Sequence, residues 1–394
     1  MRILHEAPEH APQQVYGLGR FVRDLAVAQA RRGDEVTVVT NSLGGAEYDV
    51  VRDGVRVCRT AFPPPPKPPL TEAQVLQFNM GVISRTLEVA DGSRETWDVV
   101  NVHDWYLLPA ANVLRDCFGL PVCFTVHDTV VGKTGGKLTN PDKFIANMEI
   151  WGCRSSDNII CCSRFMRQEI AEHYGAPMDR TFVVPCGVSE ATFAVQRLEW
   201  LDAFRSSVAG PKDRIVLYVG RLDPEKGVDL LIEAAPLILA GEPRAKILIV
   251  GKGRRSEELQ DLCHRRGLKE RVSFLGYAGR APLAFLYRCA EVQVCPSLYE
   301  PFGIVALEGM VNGLPVVVPD NTGLTEIVGH ERDGLQFGTG SAGDLAEAVC
   351  RLLSDHDLAR RLATAGRRRA LEDYDWDRIA SATRPAYEHA MAGV

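Results

Sequence analysis

The chain has 394 residues, 46% of them hydrophobic and 24% charged, with a formal net charge of −6. That length predicts two domains, and the composition excludes disordered, collagen-like and coiled-coil chains. A mildly acidic surface disfavours general nucleic-acid binding.

A first strand at residues 2–4 leads through Gly17-Leu18-Gly19 into a helix over 18–32, which Gly33 stops. Strands at 35–40, 99–102, 122–126, 158–161 and 181–184 follow, with helices between them. The segment 62–70 is rich in proline and predicts a stiff extended loop. Its P-x-x-P spacing at Pro63–Pro66 also leaves a partner-docking reading open. An amphipathic helix is expected over 71–90. No clear strand occurs over 187–212, which reads as a linker near residue 200. A second series starts at 214–219 and continues at 246–250, 272–275, 292–294 and 315–318, ending in helices. Strands that are continuously apolar and alternate with helices predict parallel sheets covered on both faces. The expected fold class is therefore α/β, with two doubly wound domains and a ligand cleft beside the carboxyl ends of their strands. The eleven cysteines show no C-x-x-C or Cys/His spacing and read as reduced, buried thiols. No signal peptide follows Met1, and no apolar stretch approaches the ~20 residues of a membrane span, so a cytoplasmic location and no transmembrane segment are expected.

The segment 296–310 carries the strongest chemical pattern. Glu300 and Glu308 stand eight residues apart, after a strand and across a predicted helix start. Pro301 suits a first helical turn, and the amides of Phe302, Gly303 and Ile304 would face oxygen ligands there. Charge alone would make both glutamates solvated helix-start acids; their apolar setting favours burial and a functional role. The loop after strand 214–219 holds Gly220, Arg221 and Lys226, a guanidinium fork and a point charge suited to a diphosphate. Salt bridges to Asp223 and Glu225 are the competing reading. Gly251-Lys252-Gly253 has a dinucleotide-like start, but Ser256 stands where the third small residue belongs and no acid ends the next strand. Asp355-His356-Asp357 and Asp375-Trp376-Asp377 read as caps and surface charges. His103-Asp104 and His127 follow strands and would sit at strand ends on the functional edge.

Together these segments resemble the retaining, nucleotide-sugar-dependent glycosyltransferases related to glycogen synthase and α-mannosyltransferases, family four with the GT-B fold. The resemblance runs from Gly17-Leu18-Gly19 through Asn101-Val102-His103-Asp104-Trp105, Thr125-Val126-His127 and Pro185-Cys186-Gly187-Val188 to the Arg221/Lys226 loop and Glu300…Glu308. His103-Asp104-Trp105 and the Gly132–Gly136 stretch are closest to the glycogen-synthase-like branch. The resemblance implies two Rossmann-like domains facing one cleft: an acceptor-binding domain over 1–195, joined by a helix at about 377–394, and a nucleotide-sugar-binding domain over 205–376. It implies that Arg221 and Lys226 stabilise the leaving diphosphate, that Glu300 and the 302–304 amides with Pro301 bind sugar hydroxyls, and that Glu308 binds the ribose. Gly17, Leu18, Gly19 and Gly220 would line the donor, Tyr277 would meet the base, and His127 would sit beside the transferred sugar. Tyr16, His103 and Asp104 are the implied acceptor residues; Lys133, with Lys137 and Lys143 after His127, could attract an anionic acceptor, and an ordinary solvated loop is the competing reading. Two positions depart from the family pattern: Tyr16 replaces a second glycine, and Pro185-Cys186-Gly187 lacks the usual Asn.

The implied reaction transfers a hexosyl group, glucosyl or related, from a UDP- or ADP-linked sugar to an acceptor hydroxyl with retention and without a metal or other cofactor. The implied acceptor is a saccharide or small molecule, and the implied assembly a monomer or homodimer. No carboxylate pair of the glycosidase kind is evident, which favours front-face attack with the leaving phosphate oxygen taking the proton. A nucleotide-sugar epimerase of the same architecture and a non-catalytic sugar-nucleotide or polyproline-binding scaffold are the alternatives.

Overall fold

Runs of Val, Ile and Leu form the strands, and each helix turns an apolar stripe toward them, so both sheets are covered on two faces. The computed structural model describes residues 1–10, 17–42, 47–61, 72–90, 97–193 and 198–393. They form two units, Met1–Gly187 with Trp376–Val394, and Val188–Asp375. Among the described residues no helix is long and apolar enough to cross a membrane.

The first unit holds eight strands: Arg2–Ala7 (β1), Glu35–Asn41 (β2), Tyr48–Arg52 (β3), Val55–Thr60 (β4), Val99–His103 (β5), Val122–Val126 (β6), Asn158–Cys161 (β7) and Thr181–Val183 (β8). Their order is β3-β4-β2-β1-β5-β6-β7-β8. Every pairing is parallel except the β3–β4 hairpin. Apolar runs do not reveal that hairpin, because all five residues of β3 are exposed at the sheet edge. At its turn Asp53 and Gly54 both take positive φ, 52° and 82°, as an Asp-Gly type I′ turn requires. Helix Gly17–Arg31 covers one face beside helix Trp376–Ala392, which also packs on β5, β6 and β7. Trp376 reaches Phe21, with ring centroids 5.5 Å apart. At Gly187 a Cβ would stand 2.4 Å from the Trp376 ring, so only glycine lets the chain leave this unit beneath it.

The second unit holds Arg214–Val219 (β9), Ala245–Val250 (β10), Val272–Gly276 (β11), Val292–Val294 (β12), Val316–Pro319 (β13) and Leu335–Phe337 (β14), in the order β11-β10-β9-β12-β13-β14 and parallel throughout. Its last strand, Leu335–Phe337, is absent from the strands expected from sequence. The core closes with Leu231, Ala235 and Ile238 from helix Val228–Gly241 against Leu345, Val349 and Leu352 from helix Ala342–Ser354.

The boundary between the units corrects the linker expected near residue 200. Val188 bridges to Asp375 and donates its amide to the Tyr374 carbonyl. Glu190 pairs with Arg367 at 2.5 Å, and Phe193 packs on Tyr287 at 5.4 Å. Helix Leu201–Val208 lies on helix Arg280–Cys289, with Phe204 stacked on Phe285. Residues from 188 onward therefore join the second unit.

Candidate active site

The second unit assembles its candidate site from loops that leave the carboxyl ends of four neighbouring strands, β10, β9, β12 and β13. Glycines let these loops approach backbone to backbone. A Cβ at Gly251 would lie 1.8 Å from the Gly220 carbonyl oxygen, and one at Gly253 would lie 2.4 Å from the Leu222 backbone. The Gly251-Lys252-Gly253 pattern is thus explained by loop packing. The Leu222 amide donates to the Lys252 carbonyl at 3.1 Å, and the Arg255 amide donates to Leu222 at 2.9 Å. Gly227, at φ 62°, leaves room for the Pro296 carbonyl, 2.0 Å from where its Cβ would be. The amides of Leu298 and Tyr299 both donate to the Glu225 carbonyl. Gly323 faces the Pro301 carbonyl in the same way and donates its amide to Glu300.

On this scaffold Lys226 donates to Glu300 Oε2 at 2.8 Å, and Ser297 Oγ donates to the same oxygen at 3.1 Å. The Arg221 fork donates to Asp223 at 2.6 Å and to Glu225 at 2.8 Å. Burial alone would raise the Asp223 carboxyl. The hydrogen bond from the Arg254 amide and the charges of Arg221 and Arg254 hold it below the usual carboxylate range. The salt-bridge reading is met for Arg221, whose partners are Asp223 and Glu225, while Lys226 pairs with Glu300 instead. The cluster is balanced, with Arg221, Lys226 and Arg254 against Asp223, Glu225 and Glu300. An ammonium has three N–H donors, so one bond to Glu300 leaves Lys226 with capacity for a second anion.

Helix Ile304–Val311 starts beside that cluster, with Gly303 at φ 105° as its cap. Leu324 lies 2.2 Å from a Cβ built at Gly303, so both the conformation and the space demand glycine. Glu308, on the second turn, is 2% exposed and accepts a 2.7 Å hydrogen bond from the Tyr287 hydroxyl. Phe302 is buried with its ring 5.9 Å from Tyr374. Tyr277 follows Gly276 at the end of β11 and is 71% exposed.

The first unit gathers its candidate residues at the carboxyl ends of β1, β5 and β6. His5 Nδ1 lies 2.9 Å from His103 Nε2, and His103 Nδ1 lies 3.1 Å from His127 Nε2. His5 and His103 are fully buried, and Phe21 meets the His127 ring edge-on at 4.9 Å. Burial pushes the His5 and His127 imidazoles down to about 4 and lowers His103 as well. The expectation that His103 touches an acceptor is corrected here, since both its ring nitrogens are committed to other histidines. Asp104 takes φ 68° and accepts a hydrogen bond from the Trp105 amide at 2.9 Å. Burial, then the charge of Asp128, raises its carboxyl to about 7 against the pull of Lys133. Lys133 itself is paired with Asp128 at 2.5 Å. At the start of helix Gly17–Arg31 the Gly19 amide donates to Glu9 Oε1 at 2.9 Å, so a carboxylate already sits where the donor phosphate was expected. Gly17 is exposed and Leu18 half-buried. Tyr16 and the 63–69 proline run lie outside the described residues.

Family models match both units: Glycosyltransferase Family 4 over residues 15–192 and Glycosyl transferases group 1 over residues 202–369. An uncharacterized glycosyltransferase of Methanocaldococcus jannaschii is 33% identical over 99% of both chains. Glycogen synthase of Mycobacterium tuberculosis is also 33% identical, over 100% of this chain and 96% of that one. The chain belongs to glycosyltransferase family 4. Its fold is GT-B: sucrose-phosphate synthase of Thermosynechococcus elongatus superposes over 100% of both chains with a TM-score of 0.82 at 25% identity.

Sequence reasoning missed several residues that shape this glycosyltransferase. Tyr287 holds Glu308 from a neighbouring helix, and nothing near it in sequence marks that role. Gln293, fully buried on β12, donates to the Val305 carbonyl at 2.9 Å, and its side-chain oxygen lies where a Cβ on Gly309 would be. His5 and Gln29 carry no motif. Their only signal was a polar pair inside strongly apolar segments, which predicts that each is hydrogen-bonded.

Proposed function

We propose that this enzyme transfers a hexosyl group, glucosyl or related, from a UDP- or ADP-linked sugar to an acceptor hydroxyl with retention of anomeric configuration and without a metal. The observation that carries this reading is the Lys226–Glu300 pair beside the Arg221 fork, on loops locked together by backbone contacts. In this reading Lys226 and Arg221 take the charge that develops on the leaving diphosphate, which is electrostatic stabilisation by donors already in position. Glu308 holds the ribose diol, Glu300 and the first-turn amides of helix Ile304–Val311 hold sugar hydroxyls, and Gly17 and Gly220 line the phosphates. Tyr277 meets the base. The acceptor hydroxyl attacks the anomeric carbon on the face the diphosphate leaves. The C–O bond to the diphosphate breaks, and the departing phosphate oxygen takes the acceptor's proton. Donor binding is assigned to the second unit. Acceptor binding, with His127, Asp104 and Lys133, is assigned to the first. The relatives named as glycogen synthase and sucrose-phosphate synthase support a glucosyl donor.

The test is a panel of nucleotide sugars assayed for nucleoside diphosphate release, with and without saccharide and small-molecule acceptors, and proton NMR of the product. Acceptor-dependent release and an α-linked product from an α-linked donor are expected. Isomerised donor with no acceptor, or a β-linked product, overturns the reading. Lys226→Ala is expected to lower turnover by roughly a thousandfold, the scale of losing one charge-stabilising donor.

A further inference from the structure

The three histidines form a directed hydrogen-bonded row with an anchored end. In the parallel register His5 stands opposite Asn101, and His103 stands opposite Thr125. Each histidine is thus two residues further along than its neighbour's partner, and all three side chains share one face of the sheet. Centroids 5.1 and 5.4 Å apart and interplanar angles of 24° and 25° accompany the short N···N contacts. The rings therefore lie edge to edge, with the lone pair of one nitrogen facing the N–H of the next.

A neutral imidazole donates through one nitrogen and accepts through the other, so the row can run in either of two directions. Gln29 decides between them. Its Oε1 lies 2.7 Å from His5 Nε2, and its Nε2 lies 3.2 Å from both Thr383 Oγ1 and Tyr387 Oη. The Thr383 hydroxyl gives its hydrogen to the Ala380 carbonyl at 2.8 Å and presents a lone pair to Gln29. Tyr387 Oη accepts from Asn101 Nδ2 at 2.8 Å, and Asn101 is oriented by the Thr125 hydroxyl at 2.6 Å. With its hydrogen given to Ala380, the Thr383 oxygen accepts from the Gln29 nitrogen, so the amide oxygen points at His5. His5 must then donate from Nε2 and accept at Nδ1. His103 in turn donates from Nε2 and accepts at Nδ1, and His127 donates from Nε2.

We propose that helix Trp376–Ala392, acting through Gln29, His5 and His103, fixes His127 as the Nε2–H tautomer and so makes its Nδ1 a hydrogen-bond acceptor. Among the described residues no hydrogen bond reaches that Nδ1. Gln29, His5 and His103 are positioning residues. The row running the other way would turn the same atom into a donor, and a sugar hydroxyl would meet an N–H in place of a lone pair. The catalytic consequence rests on the placement of His127 beside the transferred sugar; the tautomer does not.

The experiment is two-bond proton–nitrogen correlation NMR on the full chain with ¹⁵N-labelled histidine at pH 7, with His127→Ala to assign the resonances. The proton is expected on Nε2 of all three histidines. A proton on Nδ1 of His127, or on both nitrogens, overturns the proposal. In Gln29→Met, which lacks the amide, His127 is expected to show a mixture of tautomers, and kcat is expected to fall roughly tenfold or more with the donor KM unchanged. An unaltered His127 tautomer in that variant overturns the proposal. If Gln29→Met does not fold, the wild-type spectrum still decides. Full turnover by His127→Ala would instead remove His127 from the sugar site and leave the tautomer result standing.

Discussion

Arg221 shows what an ion pair does at a site of this kind. Exposed pairs contribute little stability, yet Asp223 and Glu225 are both buried and hold the two ends of the guanidinium in one orientation. The acids act as jigs for the cation. Tyr287 does the same for Glu308, and it offers a cleaner measurement because it carries no charge. A hydrogen bond to a charged group is worth about 1.5–3 kcal/mol. Tyr287→Phe is expected to raise the nucleotide-sugar KM by roughly tenfold or more, read by diphosphate release across donor concentrations, and to lower Tm by several degrees. An unchanged KM would detach Glu308 from donor binding. Arg221, Lys226, Glu300 and Glu308 were legible in the sequence because charge in a strand–loop–helix pattern is locally visible. Tyr287, Gln29 and His5 were not, because each acts on a partner that only the tertiary fold brings near.

At the scale of elements, most strands of both sheets were readable, since strands buried on two faces are continuous apolar runs. The exceptions are β3, which is exposed, β4, whose apolar run is broken by Arg56 and Arg59, and β14, where Gln336 parts Leu335 from Phe337. The loops are the opposite case. Their lengths were readable and their mutual packing was not, because a glycine in a loop does not announce which carbonyl it admits. Gly227 carries both a positive φ and a carbonyl at 2.0 Å from a would-be Cβ. Gly227→Ala is expected to cost on the order of 2–4 kcal/mol. It should also lower kcat/KM by roughly a hundredfold through displacement of Lys226. Calorimetry with the diphosphate-release assay checks both, and a variant with wild-type Tm and activity would show that the loop contact yields freely.

For the whole molecule, the buried titratable groups of the first unit pull stability in opposite directions. His5 and His127 stay neutral down to about 4, whereas the unfolded chain takes up those protons near 6.5. Stability is therefore lost as pH falls from about 6.5 toward 4. Glu6 and Glu149 are buried, and burial raises each carboxyl to about 8. The unfolded chain releases those protons from about 4.5 upward, so stability also falls as pH rises toward 8. The two effects cancel between about pH 4.5 and 6.5, so the first unit is expected to be about equally stable at pH 5 and 6.5 and to have a lower Tm at pH 8. Glu6→Gln or Glu149→Gln should flatten the alkaline limb, which thermal scans at pH 5, 6.5 and 8 would reveal. A Tm that climbs steadily to pH 8 would contradict the buried neutral carboxyls.

Gln29 and Tyr387 touch, although 358 residues separate them. Between them in the chain lies the whole of the second unit, residues 188–375. During synthesis that continuous unit can close as soon as it leaves the ribosome. The first sheet must wait, with the polar row across β1, β5 and β6 uncovered, until residues 376–392 have been made. The usual order, in which the amino-terminal domain completes itself first, is thereby reversed. The half-built first sheet is the stage at which this chain most needs a chaperone.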